Sequence, residues 1–151
     1  MRPRRYPKNA RLGFWGEGLP RAVAKILPMP QTGAILIVTG ALTACAFAGV
    51  FAPVAVLRLL FGAARPDQLT IMIARHWALL ITLVGGLLVY AAYHPEVRPA
   101  VMIAAVVEKL AIGVLVFTSP WRRKLAAATV AGGDTAIALL YIWILWGLRS
   151  P

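Results

Sequence analysis

Acidic side chains are scarce: five Asp and Glu stand against sixteen Lys and Arg in 151 residues, a formal net charge of +11. Charged residues of both signs make up only 14% of the chain, where a soluble domain carries about 25%. So few polar groups cannot cover the surface of a water-soluble fold of this size, so lipid has to cover much of it. The single cysteine, Cys45, excludes an intrachain disulfide framework and any cysteine-based zinc site. Catalytic signatures are missing as well. There is no phosphate-cradling glycine loop, no His-x-x-x-His metal pair and no Gly-x-Ser-x-Gly elbow. The cluster Gly132-Gly133-Asp134-Thr135 is too short, and too deep in an apolar run, to be a nucleotide loop. No metal and no cofactor is expected, and the sequence points away from an enzyme.

What the chain does have is apolar length. Hydrophobic residues make up 60% of it and its mean hydropathy is +0.76. A membrane-crossing helix needs about 20 consecutive apolar residues, and four runs meet that length, about 34–57, 72–93, 99–118 and 125–148. Pro53 should kink or end the first, leaving 54–61 as a tilted interfacial piece. Connections of five or six residues force sequential helices to pack as neighbours. The expected fold is therefore an all-α integral membrane protein, an antiparallel four-transmembrane-helix bundle over 33–148 behind a tail of 32 residues. Small residues mark expected helix contacts: Cys45 with Gly49, Ala128 with Gly132, Thr129 with Gly133, and Gly85-Gly86. Tyr90, Tyr93, Trp121, Tyr141, Trp143 and Trp146 sit where interfaces should be.

The positions of the cations decide what the basicity means. Seven lie in the first 25 residues (Arg2, Arg4, Arg5, Lys8, Arg11, Arg21 and Lys25), and most of the others edge the apolar runs. That is the distribution of a membrane protein with cations at anionic headgroups, and it argues against nucleic acid. Residues 19–27 carry Ala22, Val23, Ile26 and Leu27 opposite Arg21 and Lys25, which fits either an amphipathic helix on the inner leaflet or a solvated tail. The tail cations predict a cytoplasmic N-terminus, although Arg122-Arg123-Lys124 would then face outward. The Ala-, Leu-, Val- and Arg-rich composition reads as bacterial, which makes the membrane the inner, or plasma, membrane.

Leu42-Thr43-Ala44-Cys45 matches a bacterial lipobox. About thirty residues precede the apolar core, long for a signal peptide, and the run continues apolar past Cys45. Cys45 is therefore expected to be a small packing residue in a helix.

The sharpest inference concerns ionisable residues at membrane depth, where each costs about 2.5–3.5 kcal/mol on insertion scales. Glu108, Lys109 and Asp134 fall near the middles of their runs and should face the bundle interior. Adjacent residues on a helix point about 100° apart, so Glu108 and Lys109 should address different neighbours. Lys109 shares a face with Ala105 and Gly113, and Asp134 on the next helix is its natural counter-ion. Glu108 would then meet Arg75, which with His76 starts the second run. These five residues form either a candidate polar pocket or a set of structural ion pairs.

Four short helices, Arg75-His76 heading the second, Glu108-Lys109 inside the third and Asp134 in the fourth resemble the DoxX-like group of small bacterial membrane proteins. The resemblance covers residues 33–148 and implies a redox accessory role, with quinones or thiols in a membrane oxidoreductase complex. One cysteine gives no dithiol for thiol chemistry. The leading expectation is an accessory or scaffold component of a membrane assembly, with other membrane subunits or a second copy as partner. The alternatives are a binder or carrier of a small lipophilic molecule, a quinone or isoprenoid, and proton-coupled transport by an oligomer.

Overall fold

A computed structural model describes residues 29–63 and 65–147. Most of the expected tail, with its seven cations and candidate amphipathic helix, lies outside the described residues, as does Arg149. Regular structure among the described residues is all helical. Helix α1 spans Met29–Ala44 and passes through a 3-10 turn, Cys45–Phe47, into α2, Ala48–Phe51; α3 spans Pro53–Phe61. Then follow α4, Gln68–Tyr93, α5, Arg98–Phe117, and α6, Leu125–Gly147, with 3-10 turns at Pro95–Val97 and Pro120–Arg123 between them. Among the described residues, four segments are long and apolar enough to cross a membrane: Gln31–Phe51, Gln68–Tyr93, Pro95–Phe117 and Leu125–Gly147.

Three boundaries depart from the sequence expectation, each for a local reason. The first helix starts at Met29, inside the expected tail, because Pro30 falls in the first turn, where no backbone N–H is needed. The first apolar segment does not run to residue 57. Ala52 leaves helical geometry at φ −122°, ψ 54°, and Pro53, lacking an N–H, opens a new helix instead of continuing the old one. That helix ends on Gly62, whose φ of +71° suits only glycine and lets its N–H reach the Arg58 carbonyl at 2.9 Å. Helix α4 begins four residues before expected Met72. Asp67 caps it by accepting from the Thr70 N–H at 2.6 Å, and that bond holds the Asp67 carboxyl below the usual carboxylate range.

Packing is set by small residues. α1 lies against α4, and α5 against α6. A Cβ added at Gly85 would stand 2.6 Å from the Gly40 carbonyl oxygen, so these backbones touch. Gly49 meets Ala78, and Gly113 meets the Thr135 hydroxyl, in the same manner. Gly86, Gly132 and Gly133 face open space, against expectation, because they sit off the buried stripes of their helices. The core between the helix pairs holds Leu36, Leu88, Ala91, Met102, Ala105, Tyr141 and Ile144. Tyr141 is thus fully buried and not an interfacial anchor; its hydroxyl lies 2.5 Å from Thr39 Oγ1, tying α6 to α1. Arg98 joins α5 to the end of α4, with Nε donating to the Ala91 carbonyl at 2.8 Å and Nη2 to that of Ala92 at 2.6 Å. Phe61 meets Trp121 edge-on at 5.5 Å, which sets the α3–α4 and α5–α6 connections at one end of the bundle. Arg65, Arg122, Arg123 and Lys124 belong to those connections.

Candidate intramembrane pocket

The break between α2 and α3 opens a cavity of about 410 Å³ between α1–α3, α4 and α6. Its walls are overwhelmingly apolar, including Leu42, Pro53, Trp77, Ile81 and Ile137. The ionisable side chains bordering it are Lys109, Asp134 and Cys45. Gly133 borders it too and leaves a gap that a side chain would fill.

Lys109 reaches this place because Ala105, Lys109 and Gly113 recur every four residues and form the buried face of α5. Where Gly113 touches Thr135, α5 and α6 are close enough for a lysine one turn away to meet the residue beside Thr135. The Lys109 Nζ donates to Asp134 Oδ1 at 2.6 Å, the partner expected from depth and spacing. Lys109 is 1% exposed and Asp134 21%, so the cation is enclosed while its counter-ion borders open space.

Glu108 behaves otherwise than its helical position suggested. Its Oε2 stands 3.7 Å from the Lys109 Nζ, close enough to pair electrostatically but beyond hydrogen-bond range. Neighbours about 100° apart converge here because both side chains are long enough to bend towards one charge. That buried oxygen makes no hydrogen bond among the described residues. Arg75 does not reach it. The inward stripe of α4 runs through Ala74, Ala78, Gly85, Leu88 and Ala92; Arg75 and His76, one and two residues past Ala74, turn outward and are exposed. Neither has a partner among the described residues, so the polar cluster has three members and not five.

Nothing in the sequence sets Thr43 apart from the other threonines of the apolar runs. Thr39, Thr82 and Thr135 each donate to the carbonyl four residues back at 2.7 Å, the usual way a hydroxyl is satisfied in an apolar helix. Thr43 borders the cavity, is 7% exposed, and its hydroxyl has no partner among the described residues. Trp77, also unremarked in the sequence, supplies an aromatic wall. Cys45, expected to pack between helices, is exposed and directs its thiol to the Ala41 carbonyl at 3.4 Å.

The arrangement can bind and orient polar groups in an apolar setting. An ammonium has three donors, and Asp134 takes one from Lys109. Thr43 offers a further donor, and the second Asp134 oxygen a further acceptor. Comparison with protein-family models, with curated proteins and with solved structures finds no match to this chain.

Proposed function

We propose that the chain is a multi-pass protein of the bacterial inner membrane, an antiparallel four-helix bundle that holds a small lipophilic molecule in the cavity behind α3. The reading rests on one observation: the unpartnered Thr43 hydroxyl and the Lys109–Asp134 pair border an otherwise apolar space of about 410 Å³. Apolar pockets with a few convergent polar groups are the usual form of small-molecule sites. Leaving a hydroxyl unsatisfied in such surroundings costs about 1–3 kcal/mol, which a bound polar group would recover. The exterior supports immersion in lipid, since Val38, Phe51, Leu59, Leu115 and Trp146 are all exposed. A scaffold would have no use for this cavity, so a binder or carrier takes precedence over the accessory role. The tail cations favour a cytoplasmic N-terminus. The resemblance to DoxX-like proteins offers a quinone as one candidate occupant, and an isoprenoid is another.

Purification in a mild detergent followed by mass spectrometry of extracted lipophiles tests this. Gly133→Leu fills the cavity from α6 where a Cβ meets nothing, while Gly86→Leu adds the same bulk where α4 faces outward. A lipophile retained by the wild type and Gly86→Leu, and lost from Gly133→Leu, is the expected result. Identical extracts from all three would defeat the proposal.

A further inference from the structure

The cluster beside the cavity contains two carboxylates and one ammonium. With all three ionised it is one positive charge short of neutrality. No second cation pairs with Glu108 or Asp134 among the described residues. Of the other arginines within the membrane-length segments, Arg75 faces away and Arg98 donates to the Ala91 and Ala92 carbonyls at the opposite end of α4. In surroundings of low dielectric such an imbalance is costly, and it acts on whatever enters the space next to it. Asp134 is the member that borders the cavity with part of its surface open, so the excess negative charge is presented to the occupant. Trp77 adds an aromatic wall, a surface on which cations are stabilised and anions are not.

We infer that the cavity selects a lipophilic monocation: an amine or onium centre carried on an apolar body. The cationic centre lies by Asp134 and completes the charge of the Glu108–Lys109–Asp134 cluster, while the apolar body occupies the space between α3, Trp77 and Ile81. An anionic amphiphile such as a fatty acid would meet Asp134 in the wall and the net negative charge of the cluster, and be rejected. This inference rests on the proposed function and specifies the charge class of its ligand.

Three probes of similar shape separate the two claims: tetraphenylphosphonium as the cation, triphenylphosphine oxide as the neutral molecule and tetraphenylborate as the anion. Each is titrated by calorimetry into the full chain in detergent. The cation should bind at least about tenfold more tightly than the other two. Glu108→Gln removes a charge without breaking a hydrogen bond or altering the cavity wall, so it should erase that preference while binding of the neutral probe persists. Asp134→Asn should do the same, and Gly133→Leu should abolish binding of every probe. Equal affinity for cationic and neutral probes in the wild type, or a cation preference that survives Glu108→Gln, would overturn the charge assignment and leave the cavity as a neutral-lipophile site. Absence of binding to the wild type, or equal binding to Gly133→Leu, would remove the cavity reading itself.

Discussion

Gly40 and Gly85 touch backbone to backbone: a Cβ on Gly85 would lie 2.6 Å from the Gly40 carbonyl oxygen, and one on Gly40 would lie 2.8 Å from that of Gly85. Neither carbonyl can yield without moving its helix. Gly85→Ala should therefore cost about 1–3 kcal/mol, in the range of overpacked cores. Its neighbour Gly86 faces open space, and Gly86→Ala should be neutral or raise stability by about 0.4–1 kcal/mol. Thermal unfolding of the two variants in detergent checks the contrast, and equal effects would contradict the contact.

The Lys109–Asp134 pair predicts asymmetric mutational costs. Lys109→Met strands Asp134 and Glu108 without their cation and should cost about 3–5 kcal/mol, the loss expected when a buried pair is broken from one side. Replacing Lys109 and Asp134 together by apolar residues should recover much of that loss. Protein yield and melting temperature for the two single variants and the double variant give the coupling directly. Additive losses would mean the residues do not act as a pair.

Tyr141 and Thr39 make a second asymmetric case. Thr39 already donates to the Ile35 carbonyl, so the tyrosine hydroxyl is the donor between them. Tyr141→Phe removes that donor and should cost about 0.5–1.5 kcal/mol. Thr39→Val removes the acceptor and leaves a buried phenol unsatisfied, at a cost of about 1–3 kcal/mol. Unfolding midpoints in the reverse order would place the hydrogen bond elsewhere.

Asp67 confers an acid sensitivity on the start of α4. Its carboxyl is held below the usual range by the Thr70 N–H, so its contribution to stability is complete above the unfolded-state value and fades as pH falls through the lower folded-state value. Asp67→Asn keeps a capping acceptor that does not titrate. The variant should match the wild type near neutrality and lose less of its melting temperature below the carboxylate range. An identical acid response in both proteins would show that Asp67 is not the titrating group.

The four membrane-length apolar segments and the Lys109–Asp134 contact were legible in the sequence, because hydropathy and the expense of charge in apolar surroundings both act over a whole segment. The cavity was not, since it depends on where the chain stops being helical. Pro53 signalled a kink, but only the geometry at Ala52 shows that the chain restarts as a separate helix and leaves space behind it. Arg75 was misplaced because the inward stripe of α4 is set by the small residues that pack, Ala78 and Gly85 with Ala74 one turn before, and a residue one position past Ala74 points about 100° away. Thr43 gave no signal in an apolar run, where a hydroxyl ordinarily satisfies itself on the preceding turn, as Thr39 and Thr82 do. Tyr141 read as an interfacial aromatic because its buried partner Thr39 lies 102 residues earlier.

The nine residues of α3 are bounded by non-helical backbone on both sides, at Ala52 and at Gly62. Pro53 denies the Gly49 carbonyl its usual bond four residues on, and the left-handed geometry at Gly62 ends the ladder at the far side. The segment is thus a panel with a joint at either edge. Displacing it would leave the hydrogen bonds within α4, α5 and α6 in place, but would break the Phe61–Trp121 contact and uncover Pro53 and Leu57, so Pro53, Leu57 and Phe61 are the side chains that hold the panel shut.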